Sequence, residues 1–332
     1  MKLLRVTAQG LPLFKEKLDL SFYAQQRVAE EDKMNLYSLF SNIYLNPANA
    51  FIVINASGKT SVLKVLLLAL GIINNEPINH MNTKDILGNT KNAILNVYFY
   101  SETTKEICRL ETVITSKNSK VEGVVYSIES ESLWSKKAEE VTTRKAMLDF
   151  DGREPFIVRD EQESFLSDDV SIMIAYNKKT GEHIKVVSML LFTNMNVLPF
   201  SEGIPTEVIS YLDPTIEKLN FEEKNEKPII HLKFKGKEEI VLNNAIELNN
   251  YLSSGTVKGM ITFTLAQEVL KDGGYLIVDE VENHFNKEIV STLIRFFMDE
   301  KINKNGANKY YCLHHFLILI YAENKYPPHI FL

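Results

Sequence analysis

The sequence Asn55-Ala56-Ser57-Gly58-Lys59-Thr60 lies between two apolar runs, Ala50–Ile54 and Val62–Leu70. This order predicts a strand, a tight loop and a helix, which is the setting in which a phosphate-binding loop works. The backbone N–H groups of such a loop and the N-terminus of its helix attract anions. Lys59 adds a mobile positive charge that can reach the β- and γ-phosphates, and the Thr60 hydroxyl can take one position on a Mg²⁺ ion.

The match to the pattern G-x-x-x-x-G-K-[ST] is incomplete, because Val53 stands where the pattern has its first glycine. A β-branched residue resists the turn that glycine allows there. We therefore expect the strand to run further than usual, with the loop opening one or two residues later. The alternative is a plain helix N-terminus that reads Ser-Gly-Lys-Thr.

Bulk composition predicts an ordinary cytoplasmic protein. The 332 residues are 45% hydrophobic and 24% charged, with a net charge of −6, which disfavours broad nucleic-acid binding but leaves room for a local basic patch. Cys108 and Cys312 form neither a disulfide framework nor a zinc spacing. The N-terminus lacks the apolar core of a signal peptide, and the apolar run Val62–Ile73 contains Lys64 and is too short to span a bilayer.

Hydrophobic patterning predicts the elements around the loop. We expect a first hairpin from Leu3–Ala8 and Leu18–Phe22, a buried helix from Lys59 to about Ile73, and a second hairpin turned at 235–237. Period-two segments predict an antiparallel meander of three strands, Ile94–Tyr100, Ile107–Thr115 and Glu122–Ile128, with the turn between the last two at Ser116–Ser119. Helices are expected at Lys136–Leu148 and Pro205–Leu219, the second with a break before Pro214.

Three features in the last third of the chain add chemistry. An apolar strand, Gly274–Val278, ends in Asp279 and Glu280, where one carboxylate can hold a metal and the other can act on water. Leu252-Ser253-Ser254-Gly255-Thr256 precedes a helical run to Val269 and can form a second anion site, although a plain N-cap reads the same way. A short strand beginning at Lys309 ends in His314, which can contact phosphate but is alone more often structural.

The phosphate-loop sequence Asn55–Thr60, the segment Leu252–Thr256 and the strand that ends in Asp279 and Glu280 together resemble the head domain of ABC-type ATPases. The match is closest to the bacterial AAA-family proteins related to RecF, SMC and OLD heads, many of which are defence or abortive-infection ATPases. It covers roughly residues 1–75 and 225–315 and includes Asp279, Glu280, Glu282 and Asn283. The resemblance implies an α/β P-loop NTPase fold of ABC-ATPase type, with a central mixed sheet flanked by helices, an antiparallel β arm and a helical lid insertion. The expected domains are an N-terminal lobe at 1–129, the lid at 130–224 and a C-terminal lobe at 225–332.

The resemblance also implies roles and partners. ATP and Mg²⁺ would bind at the loop, with Thr60 and Asp279 as metal ligands and Glu280 and His314 as catalytic residues. The remaining cofactor-binding residues would be Asn55, Ala56, Ser57, Gly58, Lys59, Ser253, Ser254 and Gly255. Ser253 and Gly255 would contact the γ-phosphate bound by a second copy and so close a head-to-tail homodimer. Hydrolysis would act as a switch for a separate nuclease or toxin effector, as in phage defence.

Three other interpretations stay open. A degenerate head would bind nucleotide or a partner without turnover, and a RecF- or SMC-like DNA-repair head would show DNA-stimulated hydrolysis. A P-loop kinase would leave Leu252–Thr256 without a role. We also expect the tail after about Asn308 to be out of frame, giving a truncated form, because shifted codons for 308–315 can spell Ile-Asn-Ile-Ile-Val-Ser-Thr-Thr.

Overall fold

The computed structural model describes residues 1–52, 58–121, 123–159, 166–192, 204–224, 227–281, 285–313 and 329–331. The strands of these segments are β1 (Lys2–Gln9), β2 (Leu18–Ser21), β3 (Tyr37–Phe40), β4 (Ile43–Leu45), β5 (Ala48–Ile52), β6 (Ala93–Ser101), β7 (Glu106–Ser119), β8 (Gly123–Lys137), β9 (Ile157–Val158), β10 (Val186–Ser188), β11 (Ile216–Lys224), β12 (Lys227–Phe234), β13 (Glu239–Leu242), β14 (Tyr275–Val278), β15 (Asn308–Leu313) and β16 (His329–Phe331). The α-helices are α1 (Lys59–Ile73), α2 (Arg144–Leu148), α3 (Met173–Thr180), α4 (Thr206–Leu212), α5 (Ser254–Asp272) and α6 (Lys287–Met298).

The chain is an α/β protein whose central sheet has the strand order β10-β14-β15-β5-β16. Every described pair in this sheet is parallel, so the prediction of a mixed central sheet is wrong for these strands. The parallel pairing follows from the connections between these strands. A helical crossover, such as α6 between β14 and β15, lets the next strand run in the same direction as the one before it. The hairpin-linked strands collect instead in separate antiparallel sheets.

The two faces of the parallel sheet bury different elements. Alternate side chains such as Phe51, Tyr275 and Ile277 join one core with α1, while Leu276 and Val278 join a second core with α5 and α6. Helix α1 also contacts β1 of the six-stranded antiparallel sheet β2-β1-β6-β7-β8-β9. Lying between two sheets, α1 is buried on most sides, as its apolar sequence predicts.

The antiparallel sheet confirms the first hairpin and the meander. Strands β1 and β2 pair antiparallel, and β6, β7 and β8 follow one another in sequence and in space. The turn predicted at Ser116–Ser119 is wrong, because these residues extend β7 and pair with Gly123–Tyr126 of β8. Cross-strand pairing thus outweighs the turn preference of the Ser-Lys-Asn-Ser sequence.

The predicted helical lid at 130–224 contains strands as well as helices. Lys136 and Lys137 end β8, so the helix predicted at Lys136–Leu148 reduces to α2. Helix α4 ends at Leu212, which agrees with the predicted break before Pro214, but the residues after the break are not helical. Asp213 accepts hydrogen bonds from Thr215 there, and β11 begins at Ile216. Strands β9 and β10 join the antiparallel and the parallel sheet, which ties this segment into the body of the fold.

The second predicted hairpin, with its turn at 235–237, is confirmed. Strands β12 and β13 pair antiparallel around a turn in which Gly236 has φ +71°. In the described segments, no helix is both long enough and apolar enough to cross a lipid bilayer.

Candidate functional site

The start of α1 matches the helix expected after the phosphate-loop sequence. Gly58 is its N-cap residue with φ +92°, a left-handed conformation that favours glycine, and its carbonyl accepts a 3.0 Å hydrogen bond from the N–H of Val62. Lys59 and Thr60 are the first two residues of the helix. Asn55, Ala56 and Ser57 lie outside the described residues, as does Val53.

Thr60 and Asp279 are far apart in sequence, but their side chains are in contact. The Thr60 hydroxyl donates a 2.6 Å hydrogen bond to Oδ2 of Asp279, 219 residues later. Thr60 is exposed, whereas Asp279 is only 6% exposed. The pair therefore has one face that solvent or a ligand can reach and one carboxylate held in the fold.

The sheet topology explains why Thr60 and Asp279 lie close together. Strands β5 and β14 are parallel and are separated only by β15, so their carboxyl ends lie at the same edge. The chain leaves β5 at this edge to begin α1, and Asp279 follows β14 directly. Crevices outside the carboxyl ends of parallel strands are the usual ligand sites of α/β sheets.

Asp279 and Glu280 form a tight corner at this edge. The backbone N–H of Glu280 donates a 3.0 Å hydrogen bond to Oδ1 of Asp279, so both oxygens of Asp279 accept a hydrogen bond. Glu280 has φ +48°, which is uncommon for a residue other than glycine and costs about 1–3 kcal/mol. Such backbone strain is concentrated at functional sites.

The donor set at this edge fits Mg²⁺. A hydroxyl and a carboxylate oxygen are hard ligands, and Mg²⁺ in phosphate-binding proteins takes few protein ligands besides phosphate and water oxygens. Within the described part of the chain, no group of three or more His, Cys, Asp or Glu side chains forms a dedicated metal cage. Thr60 and Asp279 are two residues whose oxygen atoms could contribute to a Mg²⁺ site at this edge.

A cavity of about 440 Å³ opens beside Thr60. One face of α1 forms a wall through Thr60, Lys64 and Leu67, and the end of β10 with Leu190 and Leu191 forms another. Lys64 also forms an ion pair with Asp85. The edge that carries Thr60 is therefore open to a ligand on this side.

Ser253 behaves as the N-cap that its sequence predicts. Its hydroxyl accepts a 3.0 Å hydrogen bond from the N–H of Thr256 and lies 2.8 Å from the Thr256 hydroxyl. Ser253 and Ser254 are exposed and Gly255 is half-buried, so the first turn of α5 faces solvent. Among the described residues, the hydrogen bonds of the Ser253 hydroxyl stay within its own turn and do not join it to Thr60 or Asp279. Glu282, Asn283 and His314 lie outside the described residues.

Lys258 is a residue of this region that the motifs do not predict. It lies in α5 and is only 3% exposed. Burial lowers the pKa of its ammonium group to about 8, and the nearby carboxylate of Glu280 opposes that shift. The signal in the sequence is a charged residue inside the apolar run Val257–Ile261.

No protein-family model matches this chain, and a search of curated proteins finds no significant match.

Proposed function

We propose that this chain binds and hydrolyses ATP in the presence of Mg²⁺. The observation that carries the proposal is the 2.6 Å hydrogen bond between Thr60 and Asp279, which joins the helix after the phosphate-loop sequence to the strand that ends in two carboxylates. The strand order supports a P-loop fold of ABC-ATPase type, since one strand separates β5 from β14 in the all-parallel sheet. The exposed first turn of α5, with Ser253 as its cap, supplies the third expected motif.

The proposed chemistry divides among these residues. Lys59 and the N-terminus of α1 bind the β- and γ-phosphates, and Thr60 and Asp279 hold Mg²⁺, which neutralises phosphate charge when bound. Glu280 orients the attacking water and accepts one of its protons. The water oxygen bonds to the γ-phosphorus, the bond to the bridging oxygen breaks, and ADP leaves with that electron pair.

The proposed partner for closure is a second copy of the chain. Following the resemblance, Ser253 and Gly255 of one copy contact the γ-phosphate bound by the other, so that hydrolysis reopens the dimer. Exposure of the α5 first turn agrees with such a role. The switch acts on a separate effector, such as a nuclease or toxin.

Nucleotide binding tests the proposal first. Lys59→Ala removes a charge-assisted phosphate contact, and we expect ATP affinity to fall by about 10- to 100-fold by equilibrium titration. Lys178→Ala is the control, because Lys178 is an exposed lysine of α3 and does not line the cavity beside Thr60. Equal ATP affinity in wild type and Lys59→Ala would contradict the proposal.

Turnover separates the competing interpretations. Asp279→Asn should bind ATP but lose its Mg²⁺ dependence and most of its hydrolysis. Wild-type protein that binds ATP without releasing phosphate would favour the degenerate module. Hydrolysis that rises on addition of DNA would favour the repair-type head.

A further inference from the structure

A large cavity lies apart from the one beside Thr60. Its volume is about 890 Å³, and its walls come from parts of the segments 27–33, 42–44 and 142–144. The two cavities share no lining residue, and none of the residues proposed above to bind ATP or Mg²⁺ lines the larger one. Tyr44 precedes β5 and Thr60 follows it, so these two residues lie near opposite ends of that strand. The proposed ATP site therefore does not account for this cavity.

The charged side chains that line the cavity are mostly cationic. Arg27, Lys33 and Arg144 carry positive charges, and Glu30 is the one carboxylate in the lining. The Glu30 carboxylate accepts a 2.5 Å hydrogen bond from Lys33, so its charge is already balanced by another lining residue. The lining thus has a net charge of +2 in a chain whose net charge is −6. A concave surface of this kind attracts anions.

Arg144 has a hydrogen-bond donor that the fold does not use. Its Nη2 donates a 2.6 Å hydrogen bond to the carbonyl of Gln26, which holds the guanidinium beside the segment that carries Arg27. The Nε of Arg144 is buried and has no hydrogen-bond partner among the described residues. Leaving a buried donor of a charged group unpaired is costly. An anion in the cavity would supply an acceptor for the Arg144 guanidinium.

Arg27 brings a second guanidinium to the same cavity. Its side chain is exposed, and among the described residues no ion pair or side-chain hydrogen bond involves it. A guanidinium presents several N–H donors in a planar fork that matches the oxygen atoms of a phosphate group. Arg27 and Arg144 come from different parts of the chain and line one cavity, an arrangement that suits a phosphate or a diphosphate.

The size and the remaining lining of the cavity indicate a small molecule. Ligand pockets usually measure about 300–1,000 Å³, and this cavity falls within that range. Val28, Ile43 and Tyr44 add apolar and aromatic surface for an uncharged part of the ligand. A nucleic acid would need a broad basic surface, which the net charge of −6 disfavours. We propose that the cavity binds a small molecule with a phosphate or diphosphate group, held by Arg27 and Arg144.

The test uses inorganic pyrophosphate as the probe, titrated by calorimetry. The Lys59→Ala protein is the starting point, because it lacks the lysine that is proposed to bind phosphate at α1, and we expect it to bind pyrophosphate at one site. Adding Arg27→Ala or Arg144→Ala should weaken this binding by about 10- to 100-fold, as the loss of a charge-assisted hydrogen bond predicts. Adding Lys145→Ala should leave it unchanged, since Lys145 is an exposed lysine of α2 that does not line the cavity.

The exposed Arg27 keeps the test decisive if Arg144→Ala does not fold. A Lys59→Ala protein that binds no pyrophosphate would overturn the site, and binding by wild type alone would place the anion at α1, in agreement with the proposed ATP site. Binding that Arg27→Ala does not weaken would also overturn it. A short single-stranded oligonucleotide that binds more tightly than pyrophosphate, and does so through Arg27, would make the cavity part of a nucleic-acid surface instead. Loss of ATP binding or hydrolysis would leave this site untouched, because it does not use Lys59.

Discussion

Replacing Lys309 with methionine should stabilise the fold, because this lysine lies in the central strand β15. It is fully buried, and its N–H donates a 2.8 Å hydrogen bond to the carbonyl of Pro47. Tyr310 packs on the α1 side of the sheet, so alternation directs the Lys309 side chain to the side of α5 and α6. Methionine has a similar length without the charge and fills irregular core space well.

The magnitude follows from the cost of burying the charge. Burial lowers the pKa of Lys309 from 10.5 to about 7, which corresponds to about 5 kcal/mol of unfavourable free energy for the charged form. The unfolded chain keeps the higher pKa and binds more protons between about pH 7 and 10.5, so stability rises with pH across this window. Below pH 7 the penalty is fully present, and above about 10.5 it disappears.

Urea unfolding at pH 6, 8 and 10, followed by the fluorescence of Trp134, measures this effect. We expect Lys309→Met to be more stable than wild type by about 3–5 kcal/mol at pH 6, with the advantage shrinking as the pH approaches 10. Lys304→Met, at an exposed position in the preceding loop, serves as the control. If the advantage is absent or does not change with pH, Lys309 is not buried in solution, and the reasoning about β15 as the central strand fails.

Two further predictions concern the edge of the sheet that carries Asp279. Glu280→Gly should be more stable than Glu280→Ala by about 1 kcal/mol in urea unfolding. Both variants lose the carboxylate, but glycine adopts φ +48° without the strain that alanine has there. Equal stability of the two variants would mean that the left-handed backbone at residue 280 is not formed. The solution mass of Glu280→Gln, measured by light scattering, should double when Mg-ATP is added. Adding Ser253→Arg to this variant should prevent the doubling. Adding Ser253→Asn instead keeps an N-cap residue and so controls for loss of helix stability. A Glu280→Gln protein that stays monomeric with ATP would remove the closed dimer from the proposal.

Local sequence patterns predict those parts of the fold that depend mainly on interactions between residues close in sequence. The burial of α1 on most sides, the N-cap at Ser253 and the hairpin around Gly236 follow from apolar runs and turn residues. The resemblance implies that Thr60 and Asp279 lie together at one metal site, and in the structure their side chains share a 2.6 Å hydrogen bond.

Other features depend on contacts that local patterns do not contain. The length of β7 is set by its partner β8, which overrides the turn residues Ser116–Ser119. Because lysine is usually exposed, the sequence predicts that Lys258 and Lys309 lie at the surface. Only the packing of α5 and β15 shows that both side chains are buried. The reading-frame hypothesis for the tail stays a prediction that the nucleotide sequence will test.

The position of β15 between β5 and β14 has a consequence for how the chain folds during synthesis. The strand that precedes α1 leaves the ribosome early, whereas its neighbour β15 follows roughly 250 residues later, a delay of roughly 10–50 s at usual rates of elongation. Lys2 depends on equally late residues, since its ammonium donates hydrogen bonds to the carbonyls of Gly273, Asn305 and Gly306. Strand β5 and the face of α1 that packs on β15 therefore stay without these partners until the far end of the chain is made. We expect the nascent chain to be most prone to aggregation in this interval.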